Sequence, residues 1–198
     1  MRLIFKTVLI SFVLLMSSGV LLFAQPDRIG AGLSFSNVLD FNTGETSNPG
    51  FLIKTWIAID KKKKMHIVPT ITAYNRYKYE SGVDILTNYM FQGDIDIQYA
   101  VFQEKTVKVI AFAGGNYTYL YSKFEVIPPN AGRDLTDDSD GAFGGNLGAA
   151  LELRMSDHWD FVVSGKYKLS TYPQFVISVN AAYFFMTRGR QYRICVRR

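Results

Sequence analysis

The sequence is short of the residue types on which many secreted scaffolds and metalloenzymes rely. It holds one cysteine, Cys195, and two histidines, His66 and His158. A single cysteine closes no internal disulfide, so a cross-linked scaffold is excluded. Cys195 stands near the C-terminal end. It is far from any N-terminal processing site, so it is no lipoprotein anchor and reads as a free thiol on a tail. Beyond residue 23 no run approaches about 18 uninterrupted apolar residues, so no later segment can cross a membrane as a helix. A strong charge of one sign is also lacking, with 22 Lys and Arg against 17 Asp and Glu, net +5. Without Arg2 and Lys6, which belong to the leader described next, the count is 20 against 17. That excess is too small to point to nucleic acid.

Residues 1–24 have the layout of a secretory signal peptide. Arg2 and Lys6 form a positive start, residues 8–23 are almost wholly apolar, and Ala24 precedes the polar Gln25-Pro26-Asp27. Cleavage is expected after Ala24, although Leu22 occupies a position usually held by a small residue. An uncleaved transmembrane anchor is the competing reading, and its apolar run is near the lower length limit for spanning.

Tyr (12), Phe (15) and Gly (16) are abundant while mean hydropathy is near neutral. Aromatic girdles at two membrane interfaces call for such a composition, and strands that mix lipid-facing apolar residues with inward polar ones average to neutral. Eight segments of the mature chain alternate with period two, the signal of a strand. In residues 85–101 one face carries Ile85, Tyr89, Phe91, Ile95, Ile97, Tyr99 and Val101, and the other carries Asn88, Gln92, Asp94, Asp96 and Gln98. Segments 28–36, 51–60, 159–170 and 175–185 alternate similarly. Segments 67–79, 107–124 and 143–155 are less regular, with Pro69 and the Gly114-Gly115 pair suggesting a bulge or bend.

The connections give independent support. With both termini in the periplasm, 37–49, 80–84, 125–141 and 171–174 are external, whereas 61–65, 103–106 and 156–158 are periplasmic. The two longest connections fall outside and the periplasmic turns are short, the asymmetry of an outer-membrane barrel. Strand excess over the span places Tyr74, Tyr77, Tyr79, Tyr89, Tyr117, Tyr119 and Tyr121 in an outer aromatic belt and rim. The expected fold is an all-β, eight-stranded antiparallel up-and-down transmembrane β-barrel over residues 25–186, after a cleaved signal peptide over 1–24. Residues 187–198, with Arg188, Arg190, Arg193, Arg197 and Arg198, form a basic C-terminal tail. A soluble exported barrel of lipocalin type, apolar inside and charged outside, is the main structural rival, because alternation alone does not say which face points inward.

At this point the chain resembles the small eight-stranded outer-membrane barrels of the OmpX, OmpW and OmpA-transmembrane-domain kind. The resemblance covers roughly residues 25–185 and rests on strand pattern, loop asymmetry and the aromatic strand end Ala181-Ala182-Tyr183-Phe184-Phe185. It implies outer-membrane localisation, lipid as the surrounding partner and insertion by the barrel-assembly machinery. Such families usually finish on a C-terminal aromatic residue, whereas here the chain continues from Phe185 to Arg198.

The inward faces are expected to carry Lys54, Arg76, Asp94, Asp96, Lys108, Glu152, Arg154, Lys166 and Lys168. Charges of both signs in a narrow barrel must pair, since an isolated buried charge is costly. Eight strands leave an interior that side chains fill, so a salt-bridged core without an open pore is expected. No cofactor is implied. Asp138 and Asp140 form a weak surface cation candidate, because Asp138-Ser139-Asp140-Gly141 matches part of a calcium loop whose first and twelfth positions, Thr136 and Leu147, lack acidic groups. The four lysines 61–64 read as a solvated hairpin tip that also suits anionic lipid at the inner rim. Both histidines fall beside periplasmic turns, so no nucleophile, base and orienting group assemble at one membrane face and no enzyme is expected. The function expected is a structural or interaction barrel, acting in envelope integrity or adhesion through its surface loops. The alternatives are a transporter of small apolar molecules, a subunit of a secretion or envelope complex whose tail contacts a protein partner, and the lipocalin-like binder.

Overall fold

The computed structural model of the chain describes residues 26–37, 48–60, 63–81, 84–126, 137–171 and 173–185. The leader, the basic tail with Cys195, and Lys61 and Lys62 lie outside the described residues. Among the described residues nine strands form: β1 (Pro26–Ser36), β2 (Asn48–Ala58), β3 (Met65–Tyr74), β4 (Tyr77–Ser81), β5 (Asp84–Gln103), β6 (Val107–Val126), β7 (Asp138–Arg154), β8 (Trp159–Leu169) and β9 (Gln174–Phe184). Each pairs antiparallel with its neighbours in the order β3-β2-β1-β9-β8-β7-β6-β5-β4, and β3 also pairs with β5. That last pairing closes the sheet. Because β3 and β4 are successive halves of one wall strand, the result is a closed eight-stranded antiparallel barrel.

The joint between those halves is a β-bulge. Ala73 lies opposite Phe91 and Tyr77 opposite Asn88, so four steps on one strand match three on the other. The extra residue falls at Asn75-Arg76 and reverses which side chains point inward. Two expectations are corrected here. Tyr74, just before the bulge, points into the barrel, is 6% exposed and shares a 3.2 Å hydrogen bond with Ser34, so it is not part of the outer belt. Arg76, at the bulge, is exposed instead of inward. The side chains of Tyr77 and Tyr79 lie outside the described set.

A third difference concerns the longest loop. Residues 138–141 of the expected connection 125–141 are not loop; they begin β7, because Asp138 to Gly141 ladder against Ser122 to Tyr119. The sequence there is acidic and glycine-bearing and has little strand propensity of its own. The neighbouring strand imposes the extended form.

Through the middle of the barrel the buried residues are even-numbered in every wall strand. Most of those positions hold polar or small side chains: Ser34, Lys54, Thr70, Gln92, Asp94, Asp96, Asn116, Asn146, Ser164, Lys166, Ser178 and Asn180 are all buried, with Trp56, Val68, Ile110 and Phe112 as an apolar group among them. The odd-numbered positions expose Leu33, Phe51, Ile53, Ile71, Phe91, Ile95, Ile97, Leu147 and Phe175. This is an inside-out pattern with a polar lumen and an apolar outer surface. It contradicts the lipocalin-like alternative, which needs the apolar faces inward.

Gly32 and Gly114 show the tightest approaches among the inward glycines. A Cβ on Gly32 would strike the carbonyl of Val179 and come within 2.5 Å of the Cα of Asn180. A Cβ on Gly114 would strike the carbonyl of Ile95 and come within 2.6 Å of Asp96 Oδ1. Gly93 faces outward and meets nothing within 4 Å. We expect Gly114→Val to destabilise the barrel by about 1–3 kcal/mol or more through overpacking, whereas Gly93→Ala changes little. The fraction of chain migrating as the folded, boiling-sensitive species on a detergent gel reads both; equal behaviour of the two variants contradicts the packing described.

Candidate functional site

The lumen is where this sequence concentrates chemistry, and it is built in layers from the short-turn end. In the lowest layer Asp27 lies 3.5 Å from His66 Nε2 and 3.7 Å from Lys63 Nζ. Just above, Arg28 reaches Glu152 at 2.7 Å and Asp160 at 3.4 Å, and Lys108 approaches Glu152 at 3.8 Å. The Arg28 guanidinium sits over the Trp56 ring at 4.4 Å and near Phe184 at 5.1 Å. A planar cation can satisfy carboxylates along its edge while its faces cover aromatic rings, which suits arginine better than lysine.

An apolar collar follows, made of Trp56, Val68, Ile110, Phe112, Ala150, Val162 and Ala182. Trp56 donates its indole N–H to Gln98 Oε1 at 3.0 Å, so the largest inward side chain leaves no polar atom stranded. Above the collar lies the central network. Asp94 accepts from Lys166 at 2.6 Å and from Lys168 at 2.7 Å, and Lys166 also lies 3.5 Å from Asp96. Lys168 donates further to Gln92 Oε1 at 2.6 Å. Asn146 donates to Asp96 Oδ1 at 2.9 Å while accepting from Asn116 at 2.7 Å. Lys54 reaches across to Ser164 at 3.3 Å and Ser178 at 3.2 Å. The top layer is Tyr74 and Met90 with Leu120, beside the Ser36–Gln174 hydrogen bond of 2.6 Å.

Of the nine charged residues assigned to the lumen from sequence, Lys54, Asp94, Asp96, Glu152, Lys166 and Lys168 are buried in it. Lys108 sits at its short-turn end. Arg76 is outside because of the bulge. Arg154 turns out at the rim and pairs with exposed Asp157 at 2.7 Å. Sequence reasoning missed Arg28 and Asp160 as lumenal charges. Their even numbering, on the faces opposite Ile29 and Trp159, is a usable signal. His66 is buried with Asp27, and His158 stacks on Tyr183 at 5.6 Å, both at the short-turn end.

Asp138 and Asp140, the surface cation candidates, are exposed at the start of β7 and accept from the backbone N–H of Ser139 and Gly141 at 2.8 and 2.7 Å. Among the described residues no group of three or more His, Cys, Asp or Glu forms a metal cage. At this end Tyr89 packs on Tyr121 at 6.0 Å and Tyr117 on Phe143 at 4.7 Å. At the other end Trp159 and Phe185 flank Tyr183 at 5.1 and 6.2 Å. The apolar outer surface is thus bounded by aromatic rings at both ends. Tyr121 of this upper group also donates to Asp137 at 2.7 Å.

No family model matches the sequence, and no curated protein matches it. Solved structures do match in shape. Ail, the attachment invasion locus protein of Yersinia pestis, is 12% identical and aligns over 81% of this chain and 99% of its own, with a TM-score of 0.55. Neisserial surface protein A is 14% identical over 82% and 99%, also at 0.55. The N-terminal β-barrel domain of Pseudomonas aeruginosa OprF is 8% identical over 82% and 99%, again at 0.55. At these identities the likeness is one of fold: the chain has the architecture of the small eight-stranded outer-membrane barrels.

Asp94 is the hub of the central network, because both Lys166 and Lys168 depend on it. Asp94→Asn keeps the shape and removes the charge, leaving two buried ammonium groups short of their shared partner. We expect a loss of about 3–5 kcal/mol in urea unfolding of the barrel in detergent, whereas Lys123→Gln, at the exposed Lys123–Glu125 pair, leaves the unfolding midpoint nearly unchanged. Equal and small losses contradict the network as a source of stability.

Proposed function

We propose that the chain is exported to the outer membrane and works there as a filled barrel that anchors a surface structure, with a structural or interaction role and no open pore. The observation that carries this reading is the central lumen, where Lys166, Asp94, Asp96 and Lys168 are each at most 9% exposed. A water-filled conduit needs charged side chains that line a path; here they fill it. The apolar exterior with its two aromatic rings supports residence in lipid, and only a closed barrel or a helix satisfies its backbone there.

The wall is uneven at the long-loop end. Strands β5 and β6 have 20 residues each and β7 has 17, against 11 in β1, β2, β8 and β9. A span takes about 9 to 11 tilted residues, so the surplus of β5 to β7 stands above the band as a sheet extension. Together with the connections 37–47 and 127–137 it supplies the surface on which a partner would act. Ail carries attachment and invasion in its name, and a surface-contact role fits this chain by the same architecture. No reaction is assigned, since both histidines lie at the end away from that surface. The ladders between neighbouring wall strands are extensive among the described residues, which favours this reading over a transporter with a lateral opening.

In planar bilayers the folded chain is expected to produce no steady conductance steps. Steady, ion-selective steps overturn the filled-barrel reading. Cells displaying the chain should bind host surfaces or matrix less when residues 38–47 and 127–136 are replaced by Gly-Ser linkers, with the folded gel species unchanged. Unaltered binding removes the surface-contact role while leaving the barrel intact.

A further inference from the structure

The short-turn end carries a patch that neither the lumen nor the surface role uses. The β2–β3 turn contains lysines 61–64 in sequence, and its described part is held firmly in place. Ile59 N–H donates to Met65 O at 3.1 Å, Lys63 N–H to Asp60 O at 3.0 Å, and Met65 N–H to Asp60 Oδ1 at 2.7 Å. Lys63 adopts a left-handed φ of 52°. Glycine takes that conformation without steric cost, whereas lysine does not. The turn therefore carries a cation at a position where the backbone alone favours glycine, and that cation already lies 3.7 Å from Asp27 in the lowest lumenal layer.

The pairing of β3 with β5 sets this turn beside the β5–β6 turn. Ala100 N–H donates to Lys64 O at 2.9 Å. Below Ala100 a bulge at Val101 turns both Val101 and Phe102 to the outer surface, 64% and 48% exposed, and the chain then turns through exposed Lys105. Along the chain the exposed Val101 and Phe102 thus lie between Ala100, whose backbone meets that of exposed Lys64, and exposed Lys105. Asp60 is turned inward onto its own backbone, and Glu104 is the exposed carboxylate of the neighbouring turn. The β7–β8 turn differs, because its cation Arg154 is already paired with Asp157.

We propose that this patch binds an anionic phospholipid of the inner leaflet, with acyl carbon against Val101 and Phe102 and the headgroup phosphate between the ammonium groups of Lys64 and Lys105. The inference rests on the membrane reading above and adds a lipid class and a place. Lysine stems lie along apolar surface while their charge reaches the headgroup layer, so two lysines at different depths can meet one phosphate. An uncharged or zwitterionic lipid gains the apolar contact but not the net attraction, and each lysine near an anionic surface contributes about a fivefold preference.

The test uses the folded full chain, purified in detergent and mixed with equal amounts of phosphatidylglycerol and phosphatidylcholine, with retained lipid counted by native mass spectrometry. Wild-type chain should retain phosphatidylglycerol preferentially, and the preference should fall as salt rises. The double variant Lys64→Gln/Lys105→Gln should lose it by roughly 25-fold, with the boiling-sensitive gel species intact, while Lys123→Gln at the opposite end keeps it. Equal retention of the two lipids by wild type, or an unchanged preference in the double variant, overturns the proposal. An equal loss in Lys123→Gln also overturns it, since the attraction is then diffuse charge. If the double variant does not fold, the salt dependence on wild type decides. A chain that never enters lipid at all refutes the membrane reading itself, a separate result.

Discussion

The ladder between β1 and β9, from Arg28 opposite Phe184 to Ser36 opposite Val176, removes a free edge that the sheet would otherwise present. In a hydrocarbon environment each unpaired N–H or C=O costs several kcal/mol, on the order of a whole hydrogen bond and more. A sheet with this apolar exterior is viable in lipid only when it closes. Closure then dictates the interior. Eight strands give a lumen just wide enough for side chains, and the period of two directs the polar half of every strand into it. The paired charges of the lumen are thus a consequence of the ladder, and so is the glycine at 114, where Asp96 and the neighbouring backbone come too close for any larger residue.

Once the charges are inside, they must be arranged with care. The lower layer pairs Arg28 and Lys108 with Glu152 and Asp160, and the central network sets Lys166 and Lys168 on Asp94 with Asp96 beside them. The Trp56 collar separates the two layers. Amide and hydroxyl groups finish the work: Asn146, Asn116, Gln92, Ser164 and Ser178 take hydrogen bonds that the charged groups cannot make to one another. Such a core favours one packing over many, because a half-satisfied buried network costs more than an apolar one. A rigid, filled interior leaves function to the ends of the barrel.

Much of the fold is readable from alternation. The segment 85–101 declares both faces, because Ile95, Ile97 and Tyr99 alternate with Asp94, Asp96 and Gln98 without interruption. The candidate lumenal residues Lys166 and Lys168 follow from the same rule on β8. Where reading by parity fails, an extra residue or an end is responsible. The bulge at Asn75-Arg76 shifts the phase by one, and Arg76 leaves the lumen while Tyr74 remains within it. Arg154 keeps its parity but stands at the rim, where a nearby exposed Asp157 competes for it. The start of β7 is invisible locally, since Asp138 to Gly141 is extended only because β6 pairs with it. Nor does the pattern set Lys64 beside Ala100; that follows from the pairing of β3 with β5.

The inside-out arrangement can be tested most directly by walking a spin label along β5. In a Cys195→Ser background, single cysteines at 94 to 99 would be labelled in the chain folded into bilayers, and their accessibility to dissolved oxygen compared with that to a water-soluble nickel complex. A lipid-embedded barrel predicts high oxygen access at 95, 97 and 99 and low access at 94, 96 and 98, alternating residue by residue. Inverted alternation, or nickel access at the odd positions equal to that of a freely solvated label, contradicts a lipid-facing exterior.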